Sequence, residues 1–415
     1  MSAFSIFTDR KKRKKNTETP TVEQYYEKRA RRVSHLRYAC LLVTVLFGVY
    51  GFAVHGEVLT AENFRYMLKF LDLTENDEAS LSTEIRYDYV DSNQGALFKG
   101  DLAVLNTDGL TVYSREAGTT GSKLFSESFR MEDPRLVATA QNIFAYDLGG
   151  NEVRMFNSYS QIARLSMDYP IYGFSASDSG HFAVITAEKN YRSAIYVYDA
   201  YARQIYKRLL SNTYIDYVAL SPDGQTFLAL GHEAGGGYLC SLLQVYSVKE
   251  EQPLKSMTFK GELPLMAGYL ADGAYAVLTG SALRFYDGQS DTPAKTLSME
   301  GAGLAGCRFE NGYVLITATG GGLSDGTELT VYDRKGEIAL RTPCQGVPSQ
   351  VRFTGDTLYL LTSEEVTVLP AGGESTSCET KGDAVQLLFD EDGTPVVFEK
   401  NLAYRLTVTQ KEETE

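Results

Sequence analysis

Tryptophan is absent from the 415 residues, histidine occurs four times and cysteine five times. His35, His55, His181 and His232 have no second histidine or cysteine at metal-ligand spacing, and Cys40, Cys240, Cys307, Cys344 and Cys378 form no CxxC pair. Zinc-knuckle and redox-dithiol classes are therefore excluded, and the four cysteines beyond Cys40 read as free or buried thiols in a chain large enough to need no disulfide staple. No GxSxG elbow, HExxH helix or phosphate-binding loop occurs, and no cofactor is expected. Positive charge is scarce outside the N-terminus. Residues 1–37 carry eleven Lys or Arg against four acids, a balance of +7, which leaves −20 on the remainder of a chain whose net charge is −13. A polyanionic body lacks the basic face that phosphate binding requires, so nucleic acid is excluded as a partner.

Long apolar runs are also scarce, with one exception. From Tyr38 to Gly56, nineteen uncharged residues read YACLLVTVLFGVYGFAVHG between Arg37 and Glu57. At 1.5 Å per residue this run just crosses a hydrocarbon core of about 30 Å as a helix. Arg29, Arg31, Arg32 and Arg37 crowd its amino side, where they are expected to contact lipid headgroups. The positive-inside rule then places residues 1–37 in the cytoplasm as a basic tail, and the C-terminal body outside. A cleaved signal peptide has the same polarity, but 37 residues precede this run and no small-x-small site follows it. Residues 57–82 hold a short amphipathic helix, LTAENFRYMLKFLDL, with Phe64, Met67, Leu68 and Leu71 on one face, followed by an acidic linker.

What fills residues 83–409 is a repeat. Strand-like segments end on an aromatic residue at Val112-Tyr113, Met155-Phe156, Val197-Tyr198, Val245-Tyr246, Phe285-Tyr286 and Val331-Tyr332, in steps of 43, 42, 48, 40 and 46 residues. Four short strands in a period of about 40–45 residues describe a propeller blade. Turns between first and second strands give a separate count, falling near Gly100, Gln141-Asn142, Gly180, Gly224, Gly273, Gly312, Gly355 and Gly393. The expected fold is therefore all-β, an eight-bladed β-propeller preceded by one transmembrane helix and a short amphipathic helix. Seven blades is the alternative if the weak last repeat or the irregular second one is miscounted. Blade eight has only three strands before the acidic tail at 410–415, and EIRYDYV at 84–90 is expected to supply its missing edge beside 403–409. Cys344 and Cys378 fall on outer strands of consecutive blades.

At LSPDGQTFLALG, residues 220–231, followed by LLQVYS, the chain resembles bacterial WD40-like propeller repeats whose second strand follows Ser-Pro-Asp-Gly. Where true WD40 blades end in Trp-Asp, this chain has Tyr198-Asp199, Tyr286-Asp287 and Tyr332-Asp333. Basic tail, span, amphipathic helix and propeller together are similar, over residues 21–409, to a bacterial single-pass membrane-anchored family of unassigned function. That resemblance implies an architecture and no site.

Function is read from what the repeat leaves over. His181 follows a turn glycine, His232 opens the segment HEAGGG, and the glycine runs 235–237 and 320–322 read as flexible blade loops. Asp390-Glu391-Asp392-Gly393 is rich in oxygen ligands but sits at the repeated turn position, where a hairpin explains it. Strand-end tyrosines read as packing, whereas Tyr191, Tyr201 and Tyr238 are available to a recognition surface. The reading is a binding or scaffolding module of the cell envelope whose partner is a protein, peptide or glycan, besides membrane lipid. The alternative is an extracytoplasmic polysaccharide hydrolase or lyase using carboxylates on one face of the ring.

Overall fold

The structure, a computed structural model, describes His35, Arg37, Tyr38, residues 40–46 and residues 84–406, apart from 116–119, 236–237, 320–325, 345 and 391. The chain divides into two units, Met1–Arg65 and Tyr66–Glu415. In the first, Arg37, Tyr38 and residues 40–46 are helical with exposed side chains. Among the described residues no helix is long and apolar enough to cross a membrane. The rest of the expected span to Gly56, the arginines Arg29, Arg31 and Arg32, the amphipathic helix at 59–73 and the acidic tail lie outside the described residues.

The second unit is a ring of eight four-stranded antiparallel sheets. The first strands of blades 1–8 are Gln94–Phe98, Pro134–Ala138, Ile171–Ala176, Tyr214–Leu220, Pro264–Tyr269, Gly303–Glu310, Gln350–Thr354 and Ala384–Phe389. All eight turns expected from the glycine pattern join a first strand to a second, so the eight-blade count holds. At the Ser-Pro-Asp-Gly turn of blade 4, Gly224 has φ +68°, and a Cβ there would lie 2.5 Å from the His181 ring of blade 3. Only glycine meets both demands.

Buried side chains fall into eight clusters, each shared by two neighbouring blades. The strand TFLALG shows why the sequence is apolar at every position. Phe227 and Ala229 join the cluster facing blade 3, whereas Leu228 and Leu230 join the one facing blade 5. Alternation sends successive side chains to opposite faces, and in a propeller both faces are covered.

The aromatic strand endings have the packing role expected of them. Phe182 stacks on Tyr198 at 4.9 Å, Phe227 on Tyr246 at 5.0 Å and Tyr275 on Tyr286 at 4.9 Å, each a cross-strand pair between second and third strands. The aspartates after the tyrosines serve the next turn. Asp199 accepts the N–H groups of Tyr201 and Arg203, Asp287 those of Gln289 and Ser290, and Asp333 those of Lys335 and Glu337. A short carboxylate at that position replaces missing backbone partners.

Closure occurs as the sequence implies. Glu84–Arg86 pairs with Leu402–Arg405 in the register Glu84↔Tyr404, completing blade 8 from the N-terminal side. Tyr87 locks the junction by donating its hydroxyl to the Glu399 and Leu402 carbonyls and stacking on Phe398 at 5.4 Å. Opposite ends of the chain also meet at Arg115 of blade 1 and Asp390 of blade 8, a two-pronged ion pair whose side chains are 9% and 12% exposed.

First strands line the centre of a propeller, so one of their edges has no strand partner. Side chains from the preceding blade supply acceptors there: Gln94 to Leu136 N–H, Ser175 to Leu220 N–H, Glu310 to Phe353 N–H, Gln350 to Leu387 N–H and Gln386 to Gly95 N–H. These bonds satisfy donors that would otherwise be buried unpaired.

Candidate recognition surface

Strand direction sorts the ring into two ends. First strands begin, second strands end and third strands begin on the same end, so the segments entering each blade and the turns between second and third strands share one face. On that face, blades 3–5 carry Tyr172, Tyr191, Tyr214, Leu263 and Leu265, exposed by 57, 40, 41, 55 and 39%. Five large apolar side chains over three consecutive blades form more than scattered exposure.

Local backbone structure places them. In blades 3, 4 and 5 the first strand carries one extra residue relative to its partner: Tyr172 between Ile171 and Gly173, Asp216 between Ile215 and Tyr217, and Leu265 between Pro264 and Met266. Such bulges break the alternation of side chains, and blades 6 and 8 carry them too, after Leu304 and Ala384.

Blade 4 adds height. Its second and third strands, Thr226–Gly235 and Tyr238–Ser247, are ten residues each, and their ladder continues from Glu233↔Cys240 to Gly235↔Tyr238, past the last pairing with the first strand. The expected loop opening at His232 is therefore a strand: alternating partners Ser241, Cys240 and Leu239 outweigh the weak strand preference of the glycines. Only 236–237 of the expected glycine loop, like 320–322, fall outside the described residues, as do Glu391 and the side chain of Tyr238.

His232 itself is central to the surface. Its Nδ1 lies 2.6 Å from Asp216 Oδ2, its ring stacks on Tyr214 at 5.3 Å, and the Arg192 guanidinium also lies over the Tyr214 ring, 5.3 Å from its centroid. Ser241, opposite His232 in the ladder, donates its hydroxyl to the Glu262 carbonyl and is not aligned toward the imidazole. These four residues offer planar faces, a carboxylate and a guanidinium, a set suited to contact with another macromolecule. His181, by contrast, stays within its turn, bonded to Ser179 Oγ at 2.9 Å.

The apolar segment before blade 5 is held rigidly. Glu262 accepts two bonds from Arg284, at 2.8 and 2.6 Å, and one from Thr279, while Leu263 accepts the Gly280 N–H. Burial alone would raise the Glu262 carboxyl, but the Arg284 guanidinium and the hydroxyls of Thr279 and Ser281 outweigh it and hold it down at about 2.

On the opposite end of the ring, Tyr201 is exposed beside Arg203 in a turn between third and fourth strands. The remaining expected elements carry no chemistry of their own. All five cysteines are free, Cys344 and Cys378 included. Among the described residues no group of three His, Cys, Asp or Glu side chains is placed to hold a metal.

Bulged first strands and the raised hairpin were missed in the sequence. Their signal was a phase slip, as in YIDYVAL, where Ile215 and Val218 are both buried three residues apart in a strand.

The fold and this face together define an eight-bladed propeller with an apolar, aromatic-rich loop end. The chain belongs to the family of unknown function DUF5711, which matches over residues 72–401. No curated protein matches it. Among solved structures it is similar to the C-terminal WD40 domain of Sif2, at 13% identity and TM-score 0.53, covering 79% of this chain and 99% of that one. It is also similar to a eukaryotic initiation factor, at 11% identity and TM-score 0.52, covering 75 and 83%. A quinohemoprotein alcohol dehydrogenase from Pseudomonas putida aligns at 8% identity and TM-score 0.51, covering 76 and 70%. At these identities the likeness is one of fold, and the fold is shared by proteins of different functions.

Proposed function

We propose that the chain is a membrane-anchored protein-binding module that presents the loop end of blades 3–5 to a protein partner of the cell envelope. The observation that carries this reading is the patch itself: Tyr172, Tyr191, Tyr214, Leu263 and Leu265 exposed together on one face. Tyrosine and arginine are the residues that dominate binding energy at protein interfaces, and rigid supports such as Glu262–Arg284 lower the ordering cost of association. The anchor rests on the nineteen-residue run at 38–56 and the arginines before it. In this reading those arginines contact lipid headgroups and the propeller stands outside the cytoplasmic membrane.

A photo-crosslinking residue placed at Tyr172 or Leu263 in cells captures the same partner, identified by mass spectrometry, whereas one at Tyr201 on the opposite end does not. Tyr214→Ala weakens that capture about fivefold or more, the loss typical of an interface anchor. Equal capture from both ends, or capture unaffected by the Tyr214 change, would refute the assignment.

A further inference from the structure

Away from the patch, a cavity of about 190 Å³ opens between the first strands of blades 6 and 7. Arg308, Thr317, Ser349 and Gln350 supply its polar lining, beside apolar walls that include Leu315 and Val351. Among the described residues none that lines it is acidic.

Arg308 differs from the other inner arginines. Arg115 and Arg284 each fork onto a carboxylate, and Arg352 donates its Nε to Glu310 and an Nη to the Leu387 carbonyl. Arg308 makes no hydrogen bond to a described residue, its Nε included, and reaches a carboxylate only as a long ion pair. Its nearest carboxylate, Glu310, stands 3.6 Å away and already accepts from Arg352 and from the Phe353 N–H. The Gln350 carbonyl oxygen is occupied by the Leu387 N–H, and its side-chain amide donates to no described residue. Cys307, also in the lining, is pushed up to about 12 by burial and brings no negative charge. The Arg308 side chain is 43% exposed, so its guanidinium is open to the cavity it lines, and a carboxylate matches a guanidinium fork in two parallel bonds.

We propose that this cavity is a carboxylate-binding subsite, in which Arg308 grips the anion, Gln350 adds an amide donor and Leu315 and Val351 receive a small alkyl group. The ligand class is an aliphatic carboxylate, met either as a free small acid or as the C-terminus of a peptide. This subsite stands independently of the blade 3–5 patch, whose partner does not enter its test.

The test is calorimetric titration of the detergent-solubilised full chain with N-acetyl-valine, N-acetyl-valinamide and N-acetyl-Gly-Gly-Val. The free acids bind, and the amide binds about 10- to 100-fold more weakly, the range expected when charged hydrogen bonds are lost. Arg308→Gln reduces acid binding by a similar factor. Gly306→Val fills the cavity without touching the arginine, because a Cβ there meets only Thr317, at 3.8 Å, and it abolishes binding as well. Tighter binding of the tripeptide than of N-acetyl-valine assigns the subsite to chain termini, and equal affinity assigns it to small acids. Equal binding of acid and amide, no binding of either acid, or full binding by both variants overturns the proposal.

Discussion

Replacing Arg115 with methionine removes one half of an ion pair that joins the first and last blades. Both side chains are nearly buried, at 9 and 12% exposure, so Asp390 is left charged with little water to replace its partner. Breaking such a pair costs about 3–5 kcal/mol, most of it the desolvation of the orphaned carboxylate and not the worth of the bridge. At about 2 °C per kcal/mol for a domain of this size, R115M lowers the melting temperature by about 6–10 °C. The companion change Asp390→Leu removes the orphan, and the double variant R115M/D390L is expected to be more stable than R115M alone. Chemical denaturation of all four proteins closes a double-mutant cycle. Hydrogen exchange locates the effect, with faster exchange in Ala384–Phe389 and at the start of blade 1 before the remaining blades respond. If the two single losses add to within about 0.5 kcal/mol, the pair is not coupled and the argument for a clamp at the ring junction fails.

Glu262 gives a pH prediction of definite sign. Its folded carboxyl is held at about 2, below the unfolded value, so its contribution is present above about pH 4.5 and is lost as pH falls through 2. Denaturation at several pH values should find Glu262→Gln less stable than the parent by about 2–3 kcal/mol at pH 7, with the gap closing in acid; a constant gap would exclude linkage through this carboxyl. For the membrane topology, a single cysteine at position 20 in a background lacking the native cysteines reacts only with membrane-permeant reagents in whole cells, and one at Gly236 also reacts with impermeant ones. The reverse pattern defeats the topology.

The ring was legible in the sequence because its rules are local. A turn glycine, an alternating strand and a Tyr-Asp ending each report their own place, and Phe227 to Leu230 announce burial on two sides without any knowledge of the neighbours. Even the closing strand, Glu84–Arg86 within the expected 84–90, could be found by counting what blade 8 lacked. The surface was not legible, because it depends on pairs distant in sequence or out of phase. Nothing in HEAGGG says that His232 meets Asp216, since their meeting requires an extra residue in one strand and a continued ladder in the next. Arg308 is harder still to read: its character lies in bonds that Glu310 accepts from other residues.

The closing strand also imposes an order of events. Glu84 pairs with Tyr404, about 320 residues later, so a ribosome adding about 5–20 residues per second makes the strand on the order of tens of seconds before its partner exists. During synthesis the early blades can stack on one another, but Ile85 and Tyr87 lack the blade 8 half of their docking site, Phe398 and the Glu399 and Leu402 carbonyls, until the final hairpin emerges. A segment at the start of the propeller is thus kept waiting for its end, and a fault in the last repeat is felt first in the earliest residues.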